Sequence, residues 1–335
     1  MKKEAWIEKL RVVATMAVVL IHVVHGTYVN GMSDVPMYRR IFDTSILMSC
    51  SGWAVPVFIM ITGYLLLNPQ KDLPIGKVKK YIGRILLVLV TLGLGFCLIE
   101  SFITSRSNGI GYVIKDAVVH LISGRSWAHM WYMYMLVGLY VLTPVLRAFV
   151  KEASKETLDF VMLCLFLLTI VCPTINKAFG SSITNFYLSS FTYVFFYLFG
   201  YYVTTLHFPI RYGYVTGILS FVICVIVSAV KPEVRHAVFD YDNVFLALFS
   251  MSIFFVAYQR RRKPAGNENT GKMIEYISGA SFCIYLLHPV FLNILNKGLG
   301  LYVIHFPVIL GELLFFAIAF SLSLLSYEIT KRIFH

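Results

Sequence analysis

Long apolar runs, each broken by a short polar stretch, recur along almost the whole chain. About 20 mainly apolar residues are needed for a helix to cross a hydrocarbon core about 30 Å thick. Windows of that kind fall near 10–29, 44–68, 81–102, 130–149, 158–177, 190–206, 212–230, 243–258, 276–296 and 307–330. The pattern predicts an all-α, polytopic transmembrane helical bundle of about ten spans. The windows 190–206 and 243–258 are short, which leaves nine or eleven spans open. No internal repeat or low-complexity segment divides the chain, so a single integral membrane domain is expected over 1–335. Between the third and fourth windows, GYVIKDAVVHLISG (111–124) places apolar residues at helical spacing beside Lys115, Asp116 and His120. That stretch predicts an interfacial helix.

Composition agrees with the pattern. The chain of 335 residues is 58% hydrophobic and 14% charged, with a mean hydropathy of +0.75. Soluble domains average about 45–50% apolar and about 25% charged, so lipid must be part of the solvent. A net charge of +12 would suggest nucleic acid in a soluble protein, but topology explains it better and no nucleic-acid partner is expected. With the N-terminus in the cytoplasm and ten spans, 20 of the 29 Lys and Arg residues fall in inside segments and 9 outside. The inside clusters are Lys2, Lys3, Lys9 and Arg11; Lys71, Lys77, Lys79, Lys80 and Arg84; Arg147, Lys151 and Lys155; Arg260, Arg261, Arg262 and Lys263; Lys331 and Arg332. This asymmetry predicts a multi-pass cell-membrane protein with both termini cytoplasmic. The polar, turn-rich stretch RRRKPAGNENTGK (260–272) reads as a cytoplasmic loop. The first apolar run reads as a span and not a cleaved signal, because no small-x-small site closes it. The six cysteines lie in or beside apolar stretches without CxxC spacing, which predicts buried free thiols; no metal site is expected.

Ionisable side chains inside a span cost about 2.5–3.5 kcal/mol on insertion scales, so each is a functional hypothesis. The first span carries His22 and His25. At ~1.5 Å per residue, His22 lies about 18 Å above the basic boundary, just past mid-core. It is either a functional group at that depth or a neutral histidine hydrogen-bonded between helices. His25, nearer the outer surface, reads as the latter. Arg11 precedes His22 by eleven positions. Eleven steps of about 100° make three turns plus roughly 20°, so the two share one face about 16 Å apart. They cannot touch on a straight helix, yet they can line one tunnel. Alone, Arg11 reads as a positive-inside anchor. Ser278 and Ser281, three apart, and Gly63 read as small packing residues.

The R-x10-H spacing of Arg11 and His22 resembles the signature of the acyltransferase family 3 membrane proteins, and further stretches match in order. VPVFIMITGYLLL (55–67) is similar to the family's second span, with Thr62 where Ser is usual. KKYIGRILL (79–87) resembles its basic entry to the third span. HMWYMYMLVGLYVLTPVLR (129–147) resembles its H-x-W segment followed by Y-x-x-[TS]-P, and ISGASFCIYLLHPV (277–290) its S-x-x-S-[FY]-x-I-Y-L-x-H segment. The likeness is greatest to the short bacterial O-acetyltransferases of surface polysaccharides. Some relatives add a soluble esterase-like domain, which is absent before His335.

The resemblance implies a single membrane acyltransferase domain. It implies transfer of an acyl group, expected to be acetyl, from cytoplasmic acyl-CoA to a hydroxyl of a cell-surface or lipid-linked glycan. Acetyl-CoA is then the co-substrate, with membrane lipid around the protein. Arg11, Lys80 and Arg84 offer a basic surface for its phosphates. The long donor arm would run along the Arg11–His22 face. His22 would act as general base or would itself take the acyl group. Substrate positioning falls to His129, Trp131, Tyr132 and His288. An oxyanion donor is required as well, with Tyr132, Trp131, His129 or a backbone amide as candidates. Each has a plainer reading: an interfacial aromatic belt for His129 and Trp131, a packing hydrogen bond for His288. A transporter or flippase of a glycan or lipid-linked intermediate would also hold buried His and Arg beside a cavity. A non-catalytic membrane subunit is a third reading.

Overall fold

The first apolar run folds as one helix, α1 (Ala5–Val29), in the computed structural model, which describes residues 4–29, 35–127, 129–180, 191–231, 235–262 and 268–334. Among the described residues ten further helices of more than ten residues follow: α2 (Met37–Leu67), α3 (Ile75–Asn108), α4 (Ile110–Ile122), α5 (Trp131–Glu152), α6 (Lys155–Phe179), α7 (Phe191–Tyr202), α8 (Ile210–Val230), α9 (Val244–Gln259), α10 (Glu268–Asn293) and α11 (Leu310–Phe334). Among the described residues there is no strand. Among the described residues seven segments are long and apolar enough to cross a membrane: α2, α3, α5, α6, α8, Thr270–Gly298 and Leu310–Arg332. The polytopic helical bundle expected from the pattern is the fold observed, and each of the ten windows coincides with a helix. The two windows that were short in sequence became the short helices α7 and α9. The stretch 111–124 is helical over most of its length, as α4. Lys2, Lys3 and Lys263, counted among the basic clusters, lie outside the described residues.

Local chemistry sets the boundaries. Pro36, Pro74 and Pro209 precede α2, α3 and α8, where a missing N–H and a fixed φ cost nothing. Asn243 caps α9, its side chain accepting from the amides of Phe245 and Leu246 at 3.0 and 3.4 Å. Gly180, with φ of 61°, follows α6 in the left-handed conformation that ends a helix. Several long helices contain π-helical turns, among them Phe42–Leu47 in α2 and Ile294–Gly298 directly after α10.

The framework divides into two compact units, one holding Met1–Leu65 with Lys155–His335 and the other Leu66–Ser154. In the first, α1, α10 and α11 pack together around Val19, Val23, Ala280, Ile284, Leu295 and Phe315. Close by in sequence terms, α8 lies on α9, where Gly217 leaves room for Ser252. A crossing of α2 and α7 is tighter still: a Cβ on Gly63 would lie 1.8 Å from the carbonyl oxygen of Tyr197, and one on Gly200 would lie 2.0 Å from that of Met60. Gly63 is thus the close-approach residue its sequence context suggested.

In the second unit, α3 packs against α4 and α5. Arg147, expected as a topology anchor, closes a chain reversal there: its guanidinium donates to the carbonyls of Leu66, Asn68 and Lys71 at 2.6, 2.9 and 2.6 Å. The expectation of uniformly buried thiols is corrected. All six cysteines are free, but only Cys97 and Cys224 are buried, and Cys50 is exposed.

Candidate active site

Two contacts define the seam between α1 and α10. Arg11 Nη1 donates to Ser278 Oγ at 3.3 Å and stands 3.5 Å from Glu8 Oε1. Further along, the rings of His22 and His288 meet edge to face with centroids 4.7 Å apart. Arg11 therefore pairs with the earlier residue of α10 and His22 with the later one, so the two helices run parallel.

Backbone carbonyls orient both imidazoles. His22 Nδ1 lies 2.9 Å from Val18 O, and His288 Nδ1 lies 2.7 Å from Ile284 O. A carbonyl oxygen only accepts, so Nδ1 carries the hydrogen in each ring and the lone pair of a neutral ring resides on Nε2. His22 is half-buried and His288 fully buried. The basic, nucleophilic nitrogen of His22 is thereby fixed in tautomer by its own helix. His25 is exposed.

Ser278 does more than pack: it is 2% exposed and receives the Arg11 guanidinium. Ser281 turns back onto the carbonyl of Ser278 at 2.8 Å. At the N-terminal end of α1, Glu4 Oε2 accepts from Trp6 Nε1 and Tyr64 OH at 2.9 and 2.8 Å. Arg261 stacks on Tyr258 in the same aromatic group, 3.9 Å from the ring centre.

The remaining predicted residues belong to the second unit. Lys80 and Arg84 are exposed, four apart on one face of α3. His129 is buried, its ring 6.0 Å from that of Phe96 and 6.3 Å from that of Trp127, which stack on each other at 4.4 Å. Trp131 and Tyr132 are half-buried at the start of α5, with rings 6.1 Å apart. Of the predicted residues, the structure brings His22 and His288 together and sets Arg11 on the same α1–α10 seam, beside Ser278; sequence reasoning had joined only Arg11 and His22. An apolar groove of about 440 Å³, lined by Phe199, Tyr212, Met251 and Phe255 among others, contains none of the predicted site residues.

Sequence reasoning missed a buried ionic cluster near the other end of α1. Arg39 is 4% exposed and spends all five N–H donors. Nε donates to Asp43 Oδ2 at 3.4 Å, Nη1 to the carbonyls of Ile304 and Phe306 at 3.4 and 2.6 Å, and Nη2 to Val303 O at 2.9 Å and Glu312 Oε1 at 2.6 Å. Glu312 stands in the first turn of α11, where the helix dipole favours a carboxylate. The signal was present as Arg39-x3-Asp43, an i,i+4 pair, but α2 begins at Met37, ahead of the apolar window that announced it. Among the described residues no group of His, Cys, Asp or Glu is arranged to hold a metal ion.

The chain is a polytopic helical bundle whose first helix carries a histidine in ring contact with a histidine of α10. The family model for the acyltransferase domain, acyltransferase family 3, matches residues 4–328, and the chain belongs to that family of membrane-embedded acyltransferases. No curated protein and no solved structure gave a match.

Proposed function

We propose that this acyltransferase moves an acetyl group from cytoplasmic acetyl-CoA to a hydroxyl of a cell-surface or lipid-linked glycan, with both termini cytoplasmic. The observation that carries the reading is the α1–α10 seam, which sets Arg11 at one end and His22 with His288 at the other. In this scheme Arg11 grips the donor and the arm of coenzyme A follows α1 toward His22. His22 Nε2 takes the proton of the acceptor hydroxyl as its oxygen attacks the thioester carbonyl. The tetrahedral oxyanion collapses, the C–S bond breaks, and the imidazolium returns the proton to the departing thiolate. The alternative course uses the same lone pair: Nε2 attacks the thioester, the C–S bond breaks and the coenzyme A thiolate leaves; the hydroxyl oxygen then attacks the acyl-imidazole, the acyl–N bond breaks, and the hydroxyl proton ends on the thiolate.

Lys80 and Arg84 are proposed as donor-phosphate contacts on their charge, their exposure and the family likeness. His129, Trp131 and Tyr132 are proposed to position acceptor or acyl group, with an oxyanion donor among them or in the backbone. His288 is assigned to orienting the His22 ring. Purified protein given acetyl-CoA labelled in the acetyl group tests the reading. The expected result is release of free coenzyme A thiol and transfer of label to added alkyl glycosides. Acid-stable protein without label and without thiol release would instead favour a transporter of a glycan intermediate. Label trapped on wild-type protein and lost in His22→Ala would select the acyl-imidazole course.

A further inference from the structure

We propose that Asn296 binds the acceptor hydroxyl beside His22, an inference that rests on the acyl-transfer reading and adds the acceptor subsite to it. Asn296 lies in the π-helical turn Ile294–Gly298 that follows α10. Such turns shift the side chains after them out of helical register and recur at functional sites. The residue is 6% exposed, and its Oδ1 is buried with no hydrogen-bond partner among the described residues. A buried acceptor left in that state carries the full cost of its lost hydration, so a ligand that donates a hydrogen is called for.

The location says which ligand. Asn296 Nδ2 lies 3.3 Å from the point a Cβ on Gly26 would occupy. Gly26 is one turn beyond His22 on α1, about 6 Å along the axis and on nearly the same face. The carboxamide therefore stands over the His22 end of the seam, on the side away from Arg11. A molecule approaching His22 from that side passes it. The thioester carbonyl and sulfur have no hydrogen to give, whereas a sugar hydroxyl does, so Oδ1 is matched to the acceptor and not to the reacting end of the donor. Gly26 keeps the position open: a methyl group there would press on Nδ2 and turn the carboxamide.

The test uses the full-length protein in detergent micelles, labelled acetyl-CoA, and decyl glycosides of glucose, galactose and N-acetylglucosamine as acceptors. Asn296→Leu replaces the amide by an apolar side chain of similar size. It should raise the KM for the glycoside about tenfold, the loss of one good hydrogen bond. Thiol release in the absence of glycoside should stay within about twofold of wild type. Gly26→Ala should raise the same KM by a smaller factor. An Asn296→Leu protein whose glycoside KM is unchanged overturns the inference. So does one that loses thiol release in equal measure without any glycoside, because Asn296 would then serve the donor or the fold. Wild-type protein that releases thiol but labels none of the glycosides overturns the hydroxyl assignment while sparing acyl transfer. Wild-type protein that releases no thiol at all sinks the acyl-transfer reading itself.

Discussion

The seam between α1 and α10 and the crossing of α2 and α7 join helices by opposite means. At the seam, side chains do the joining: Arg11 reaches Ser278, and His22 meets His288. At the crossing, the lack of a side chain does it, since Gly63 and Gly200 let two backbones touch. Substitution at the seam removes a functional group and leaves the backbones where they are. Substitution at the crossing adds atoms where none fit, and the helices must move apart. The first kind of residue should therefore report in turnover and ligand binding, the second in stability.

The sharpest way to break the comparison is His22→Ala. Transfer should fall by about 10²–10⁴, the usual worth of a general base, while thermal unfolding in detergent stays near wild type. If the variant keeps more than about a tenth of the wild-type rate, the base must be sought at His288 or His129. Arg39 tests whether an ionic contact close to the same end of α1 behaves like the seam or like the crossing. Arg39→Met takes from Asp43 and Glu312 the guanidinium they share, and breaking a buried pair costs about 3–5 kcal/mol. Replacing Arg39, Asp43 and Glu312 together by Met and Leu should recover most of that loss, because no charge is then left alone. Chemical denaturation of both variants decides; a single variant as stable as wild type would show that the cluster holds nothing.

Gly63→Ala should have a smaller effect on stability and almost none on chemistry per folded molecule. The added methyl would meet the Tyr197 carbonyl at 1.8 Å, so α2 and α7 must separate. Overpacking of this kind costs typically 1–3 kcal/mol. Gly200→Ala should do the same, and the double variant should cost less than the sum, because the helices need separate only once. Full additivity would mean that the two glycines do not share one crossing.

Much of this was legible in the sequence because lipid imposes a simple rule: long apolar runs become helices, and ionisable residues within them need a reason. The ten windows, Arg11 and His22 on one face, and Gly63 all followed from that rule. What escaped is what depends on partners distant in the chain. Ser278 looked like a packing residue because nothing local shows that Arg11, 267 positions away, would reach it. Arg39 was not singled out because its five acceptors come from two segments, one of them near residue 305. Asn296 is one polar residue among several near a helix end, and only the π-helical turn and Gly26 single it out.

The smallest predicted effect asks whether Ser278 belongs to the donor site or only to the seam. If Arg11 holds the donor as proposed, Arg11→Ala removes a charge-assisted contact to phosphate, worth about 1.5–3 kcal/mol, and should weaken binding of a non-hydrolysable acetyl-CoA analogue roughly 10- to 150-fold. Arg11→Lys keeps the charge but loses the planar fork, so its loss should be smaller. Ser278 does not need to touch the donor to matter, because it fixes the direction in which the guanidinium points. Removing one ordinary hydrogen bond of this kind is worth about 0.5–1.5 kcal/mol, so Ser278→Ala should weaken the analogue by about 2- to 12-fold. In an Arg11→Ala background the same substitution should have no further effect, since no guanidinium remains to be aimed. Calorimetry on the four proteins gives the coupling directly. Equal losses from Ser278→Ala in both backgrounds would mean that the 3.3 Å contact serves packing alone, and that Arg11 meets the donor from another direction.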